Sequence, residues 1–196
     1  MVDISVESSC DIEVKQSKFL SFILPITLLD KRLEALKSQH PKARHFIVAW
    51  RKLNEFEQIL EYSTDDGEPK GTSGRPVLNV LRGVELINSA VIIVRYFGGT
   101  KLGTGGLVRA YSDAAKKVLA EAKLQPFEIK YPFKISVDYS FNQKIEHWFQ
   151  EQDIMIVESD FVNDGVVYHL SVTQKQKRSI ESYAQSERII TIIKTL

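Results

Sequence analysis

The sequence of 196 residues contains one cysteine, Cys10, and no long apolar run. A single cysteine excludes an internal disulfide and a zinc site built from several thiolates. No apolar stretch approaches the roughly 20 residues that a membrane helix needs. The first residues, MVDISVESSCDIEV, lack the apolar centre of a signal peptide. We therefore expect a cytoplasmic protein that has no membrane as a partner.

An excess of charge of either sign is also absent. The chain has 26 basic and 25 acidic residues, a net charge of +1. Its hydrophobic share of 43% is typical of a globular protein. Residues 133–196 hold 7 basic and 9 acidic residues, so residues 1–132 hold 19 and 16. Any contact with nucleic acid must therefore come from a local basic patch, and the first part of the chain is the better candidate.

Hydrophobic periodicity predicts alternating strands and helices up to about residue 124. Asp30 is predicted to be the N-cap of the first helix, and Pro76 suits the first turn of the second. Residues 124–132 contain two prolines and are predicted to be a linker. The predicted elements before it are strands over 19–29, 44–51, 56–63 and 90–97, and helices over 31–39, 76–83 and 107–124.

The pattern restarts after the linker. Ser140 and Gln143 have the spacing of a capping box that would open a helix ending near Gln150. The turn Asn163-Asp164-Gly165 joins two apolar runs and predicts a hairpin. The resulting order is βαββαβ, the ferredoxin-like arrangement. We therefore predict an α+β protein with domains over 1–130 and 131–196, in which the second has strands over 133–139, 154–162, 166–173 and 188–195 and a second helix over 174–187.

Two glycine-rich segments each run into a predicted helix. A helix N-terminus presents unpaired N–H groups and the positive end of the helix dipole, and glycines let the backbone approach a ligand. The segments match neither the Walker A nor the dinucleotide-binding pattern, and the glycines could also serve only as turn residues. The candidate phosphate- or nucleic-acid-binding residues are Lys70, Gly71, Thr72, Gly74, Arg75, Arg95, Gly98, Gly99, Lys101, Gly103, Gly105, Gly106 and Arg109.

Three carboxylates, Asp65, Asp66 and Glu68, fall within a span of four residues just before the first glycine-rich segment. Oxygen ligands next to a substrate phosphate are typical of Mg²⁺ sites. The same residues around an Asp-Gly turn can instead cap local N–H groups and brace the loop. The sequence predicts no other cofactor than such a Mg²⁺ ion or a bound anion.

Two ungapped motifs resemble the signature of the Impact/YigZ family: YSTDDGEPKGTSGRPVLNVL at 62–81 and VRYFGGTKLGTGGLVRAYSDA at 94–114. The resemblance implies that the first domain is a βαβ-rich sandwich like elongation factor G domain IV, a ribosomal protein and the GHMP kinases. It implies that the second is the small ferredoxin-like domain of the bacterial members. Eukaryotic Impact proteins act in the control of translation initiation under stress, through protein partners.

Three functions remain open at this point. The resemblance favours a non-catalytic regulator that binds RNA, the ribosome or a translation-regulating protein, as a monomer or weak homo-oligomer, with phosphates contacted by Arg75, Lys101 and Arg109. The alternative is a Mg²⁺-dependent enzyme acting on nucleotides or phosphate esters, although a catalytic base and a Walker lysine are missing. In the third, the glycines are purely architectural and function lies in the second domain, for example at Lys175–Arg178.

Overall fold

The computed structural model describes residues 1–187 and 190–193. The chain divides into two units, Met1–Phe127 and Glu128–Leu196, and the division lies three residues before the one drawn from the sequence. Within the described residues, no helix is both long and apolar enough to cross a membrane.

The first unit is an antiparallel five-stranded sheet with helices on both faces. Strand order is β2-β3-β6-β4-β5, and β6 at the centre is buried along almost its whole length. The elements are β1 Val2–Ile4, β2 Ser8–Val14, β3 Ser17–Pro25, α1 Leu29–Gln39, β4 His45–Leu53, β5 Ile59–Thr64, α2 Gly74–Gly83, β6 Ser89–Tyr96, α3 Gly103–Glu121 and β7 Leu124–Pro126.

Side chains of alternating direction build one core on each face of this sheet, as the two-residue period of a strand requires. Ile47, Val91 and Ile93 pack beneath α2 and α3. Their neighbours Val48 and Ile92 point the other way and pack with Leu36 of α1. Helices α2 and α3 therefore share one face of the sheet, and the two glycine-rich segments lead into that helical layer.

Three sequence predictions for this unit are corrected. Asp30 is not an N-cap: α1 begins at Leu29 after a short 3₁₀ turn, so Asp30 lies in the first turn. The predicted linker contains β7, which pairs with β1. Helix α3 begins at Gly103 rather than Leu107, because glycines can still adopt helical geometry once the apolar face behind them is anchored.

The second unit has the elements β8 Tyr131–Asp138, α4 Asn142–Glu151, β9 Met155–Val162, β10 Gly165–Val172, α5 Gln174–Glu187 and β11 Ile190–Ile193. The sheet order is β11-β8-β10-β9, with all pairs antiparallel. This is the βαββαβ arrangement, so the predicted mixed α+β fold class is confirmed. The ends of the strand predicted over 188–195 lie outside the described residues.

The capping box predicted at the start of α4 is wrong, and a capping box is found at the start of α5 instead. A 3₁₀ turn precedes α4, and the Asp138 carboxylate accepts hydrogen bonds from the amide and hydroxyl of Ser140. A reciprocal pair instead opens α5: the Gln176 amide donates to the Thr173 hydroxyl and the Thr173 amide donates to the Gln176 side chain. Both satisfy N–H groups that a helix start leaves unpaired.

Candidate functional site

The first glycine-rich segment is organised around the carboxylate of Asp65. One oxygen accepts from the Gly71 amide at 2.7 Å, and the other accepts from the Ser73 amide, the Ser73 hydroxyl and the Gly74 amide at 3.1, 2.7 and 2.9 Å. The amides of Ser73 and Gly74 are at the start of α2, and that of Gly71 lies in the loop before it. An internal anion therefore already occupies the position where a bound phosphate was predicted at this helix.

The other members of this segment serve the same loop. The Thr72 hydroxyl donates to the Pro69 carbonyl at 2.6 Å. A Cβ atom at Gly74 would lie 2.5 Å from the Thr64 carbonyl oxygen, so only glycine fits there. Lys70 is exposed. The close approach of the chain to β5, rather than access for a ligand, accounts for Gly74.

Asp65 gives the first testable prediction. Partial burial opposes its charged form, but hydrogen bonds from Gly71, Ser73 and Gly74 outweigh burial and hold the pKa below the ordinary 3.8. We expect Asp65→Ala to lower the free energy of unfolding at pH 7 by about 1–2 kcal/mol, as for a lost helix cap.

The pH dependence of that loss follows from the sign of the pKa shift. A depressed pKa contributes stability that is complete above the unfolded value of 3.8 and disappears as pH falls through the lower folded value. Urea unfolding of both proteins at pH 7 and below pH 4 measures this. A difference between wild type and Asp65→Ala that is the same at both pH values would contradict the capping role.

The remaining carboxylates of the segment point to separate partners. Asp66 accepts from the Phe46 amide at 2.6 Å, and its carbonyl oxygen accepts from Nδ1 of His45 at 2.8 Å. Glu68 turns into the interior. Among residues 1–187 and 190–193, no three His, Cys, Asp or Glu side chains are grouped so that they could hold a metal ion. Asp65 and Asp66 brace the loop through their hydrogen bonds, which is the other role that the sequence allows for them.

Glu68 forms a buried cluster with Arg95 and Tyr111. Its Oε1 accepts from the Arg95 guanidinium at 2.5 Å and from the Tyr111 hydroxyl at 2.7 Å. The side chains of Arg95 and Glu68 are only 7% and 4% exposed. Burial and the Glu68 carboxylate raise the pKa of Tyr111, which stays protonated and donates. Arg95 thus holds an internal ion pair, while its buried Nε has no partner among the described residues.

The second glycine-rich segment differs from the first because the start of α3 has no cap. Among residues 1–187 and 190–193, no side chain accepts a hydrogen bond from the N-terminal amides of this 19-residue helix, and its first turn has no acidic residue. Gly103 has a φ of +71°, which favours glycine, and a Cβ atom at Gly105 would meet nothing within 4 Å. The start of the helix borders a cavity of about 350 Å³, which is lined by Glu68, Pro69, Arg95, Phe97, Lys101, Leu102, Gly103, Thr104 and Leu107.

A second cavity of about 390 Å³ shares two of these residues, Arg95 and Phe97. Phe97 is 59% exposed, and the Arg95 guanidinium lies 5.9 Å from its ring centroid. No carboxylate lines this second cavity, whose walls are Lys42, Arg44, His45, Arg95, Tyr96 and Phe97. The two cavities together form a basic surface with an exposed aromatic ring, which we call the α3-start surface.

Sequence reasoning missed Lys42, Arg44 and Phe97. Antiparallel pairing of β4 with β6 places His45 opposite Arg95, so the residues just before β4 lie beside those just after β6. The two strands were predictable, but their pairing was not.

The predicted cations do not share one pocket. Lys101 lines the cavity at the start of α3, whereas Arg75 lines a separate groove between α2 and α3. Arg109 is exposed on α3. Gly98 and Gly99 form the connection from β6, where Gly98 donates to the Ser17 hydroxyl and Gly99 has a φ of +87°. Of the predicted residues, Arg95, Lys101 and Gly103 are brought together with the uncapped helix start that includes Gly105 and Gly106.

Comparison with known proteins finds a matching family and several relatives of this chain. The Impact N-terminal domain family matches residues 15–119, more than half of the chain. An IMPACT family member of Haemophilus influenzae is 35% identical over 155 residues, 76% of this chain and 74% of that protein. YigZ of Escherichia coli is 33% identical over 153 residues, with the same coverage.

A solved structure described as that of a hypothetical protein covers 100% of this chain and 97% of its own, at 25% identity and a TM-score of 0.62. The resemblance expected from the motifs at 62–81 and 94–114 is confirmed. This chain belongs to the Impact family.

Proposed function

We propose that this protein is a non-catalytic regulator of translation that binds single-stranded RNA at the α3-start surface. The observation that carries the proposal is the uncapped start of α3 beside Lys101 and the exposed Phe97. Membership of the Impact family supports the translational setting.

The start of α3 supplies donors for one phosphate. Its free amides and helix dipole favour an anion, and Lys101 lies on the same cavity wall. The contrast with α2 supports a ligand, because there the protein supplies its own carboxylate through Asp65. Such contacts bind the backbone and do not read the sequence of bases.

The neighbouring cavity extends this site along a strand of RNA. Lys42 and Arg44 provide two further charges, and Phe97 lines both cavities and is 59% exposed. Single-stranded nucleic acids are typically bound by a basic groove with aromatic rings on which bases stack. The charges are local, as a chain with net charge +1 requires.

The enzymatic alternative has less support from the geometry. Asp65 and Asp66 accept backbone hydrogen bonds, and Glu68 is buried against Arg95 and Tyr111. A Mg²⁺-dependent phosphoryl transfer would need these carboxylates to be released from their partners. The binding function needs no such rearrangement.

Removing positive charges from the α3-start surface should lower the affinity for RNA and make that affinity less dependent on salt concentration. We expect Lys42→Ala/Arg44→Ala/Lys101→Ala to lower the affinity for a fluorescent uridine oligomer of about 12 nucleotides by at least about tenfold. The slope of log K against log salt should fall by about 2, since each lost phosphate contact on a single strand contributes about 0.7. Fluorescence anisotropy across a salt series measures both, and Phe97→Ala should weaken binding with little change in slope.

A matched control removes cations from the same unit outside these cavities. Arg75→Ala/Arg109→Ala deletes two exposed charges, against the two deleted in Lys42→Ala/Arg44→Ala. The control should bind RNA as wild type does. Equal losses in both double variants would show general electrostatic attraction, and an unchanged affinity in the triple variant would refute the proposed surface.

A further inference from the structure

A groove runs along the outer side of the helical layer between α2 and α3. It has a volume of about 540 Å³. Its α2 wall consists of residues spaced four apart, and so does its α3 wall, which is the spacing that forms a ridge along a helix. The lining residues are Gly71, Arg75, Pro76, Asn79, Val80, Gly83, Val84, Val108, Ser112 and Lys116.

The floor of the groove is apolar and open to solvent. Val84 and Val108 are 37% and 38% exposed, and Val80 is partly buried beside them. Gly83 on the α2 wall has no side chain, and a Cβ atom added there would meet nothing within 4 Å. The ridge of α2 is therefore interrupted at Gly83, which leaves space for a side chain from outside.

The charged residues of the groove have one sign. Among the described residues that line it, Arg75 and Lys116 are charged and none is a carboxylate. Arg75 has no hydrogen-bond or ion-pair partner within the part of the chain that the structure describes. Lys116 has a loose ion pair with Asp113 at 3.8 Å, with both side chains more than 60% exposed. Arg75 is therefore free to pair with an acidic ligand, and the exposed pair of Lys116 with Asp113 costs little to exchange for one.

We propose that this groove docks an acidic amphipathic helix of a partner protein. The α3 wall extends from Val108 to Lys116, a rise of about 12 Å, which is about two helical turns. Apolar side chains of the partner fill the space over Val80, Val84 and Gly83, and its carboxylates pair with Arg75 and Lys116. This is the groove mode of helix recognition, with residues at i, i+3, i+4 and i+7 as anchors.

RNA fits this groove less well than a helix does. Its phosphates would meet two cations, but its lining has no aromatic side chain on which a base could stack. The valines of the groove are aliphatic, and Gly83 leaves space beside them. Such a surface suits aliphatic anchor residues of a partner helix, such as leucine. The groove is also distinct from the α3-start surface, since the two sets of lining residues do not overlap.

The test uses the full chain and a synthetic helical peptide of about 18 residues. Leucines occupy one face of the peptide and glutamates the other, and a matched peptide carries lysines in place of the glutamates. Isotope-labelled protein is titrated and followed by NMR. The acidic peptide is expected to shift the amide signals of Val80, Gly83, Val84 and Val108, and to bind at least about tenfold more tightly than the basic one.

Charge reversal separates the groove from the rest of the surface. In Arg75→Glu/Lys116→Glu the preference between the two peptides should invert. The control Arg109→Glu/Lys123→Glu makes the same change of charge at exposed residues outside the groove and should keep the preference for the acidic peptide. Gly83→Leu should abolish binding of the acidic peptide while the circular dichroism spectrum and melting temperature stay those of a folded protein.

Three results would overturn the proposal. The first is an acidic peptide that binds Arg75→Glu/Lys116→Glu as tightly as wild type. The second is a set of shifted signals that lies outside the groove. The third is loss of affinity for the uridine oligomer in Arg75→Glu/Lys116→Glu without any effect on peptide binding, which would make this face part of the RNA surface.

Discussion

Glu68→Leu is expected to lower the free energy of unfolding by about 3–5 kcal/mol, one of the two largest effects that the structure predicts. The substitution removes the carboxylate that pairs with Arg95 and accepts the Tyr111 hydroxyl. Both partners stay buried, Arg95 at 7% and Tyr111 at 0% exposure. A guanidinium left without a counter-charge in the interior is among the costliest single changes in a folded protein.

The origin of the loss can be separated with a second variant. Glu68→Leu/Arg95→Met removes both charges and replaces them with apolar groups, a change that is often close to neutral for a buried pair. Urea unfolding should therefore show the double variant to be more stable than Glu68→Leu alone. If both unfold at the same urea concentration, the loss comes from the packing of Glu68 and not from the unpaired charge.

The same cluster determines the shape of the α3-start surface. Arg95 and Glu68 both line the cavity at the start of α3, and Arg95 also lines the neighbouring one. Tyr111 comes from the buried face of α3 and stacks edge-on against Phe19 at 5.1 Å. The ion pair therefore ties loop, central strand and helix together behind the surface, and its residues are structural rather than free for ligand.

Periodicity alone predicts the elements that carry this arrangement. The buried run at 90–97 and the i, i+3, i+4 spacing at 107–124 identify β6 and α3 within a few residues. The βαββαβ order of the second unit follows from apolar runs of the same kind and from the turn Asn163-Asp164-Gly165. These features depend on neighbours in the sequence, which is why they can be read from it.

Contacts between distant residues cannot be obtained that way. Asp65 caps α2 from eight and nine residues upstream, outside the spacing of known capping motifs. Arg95 and Glu68 are 27 residues apart in the sequence. Both are charged residues, and both are buried in the structure. Charged residues in a glycine-rich loop look like ligands until their partners are known, so Arg95 and Glu68 were indistinguishable from Lys101.

The glycines of the second segment also differ in the contacts they make with distant residues. Gly98 lies against the turn that joins β2 to β3, where a Cβ atom would overlap the carbonyl group of Gln16 and the backbone nitrogen of Ser17. A Cβ atom at Gly105 would meet nothing within 4 Å. One glycine is therefore required by the fold, whereas the other leaves the start of α3 open to a ligand.

Gly98→Ala is accordingly expected to lower the free energy of unfolding by about 3 kcal/mol or more, since two backbone segments would have to move apart. The Gly98 amide would also lose its hydrogen bond to the buried Ser17 hydroxyl. Gly105→Ala is the matched control, because it adds the same methyl group to the same segment. It should leave the protein as stable or up to about 1 kcal/mol more stable, since alanine favours a helix over glycine.

Thermal and urea unfolding of the two variants, followed by RNA titration of whichever is folded, tests both roles together. Gly105→Ala should keep its fold and lose affinity for the uridine oligomer, because a phosphate bound at the free amides of α3, as we propose, would approach the added methyl group. Equal stability of Gly98→Ala and wild type would remove the close approach as the reason for that glycine. Unchanged RNA affinity in Gly105→Ala would argue that phosphate binds at Lys42 and Arg44 and not at the helix start.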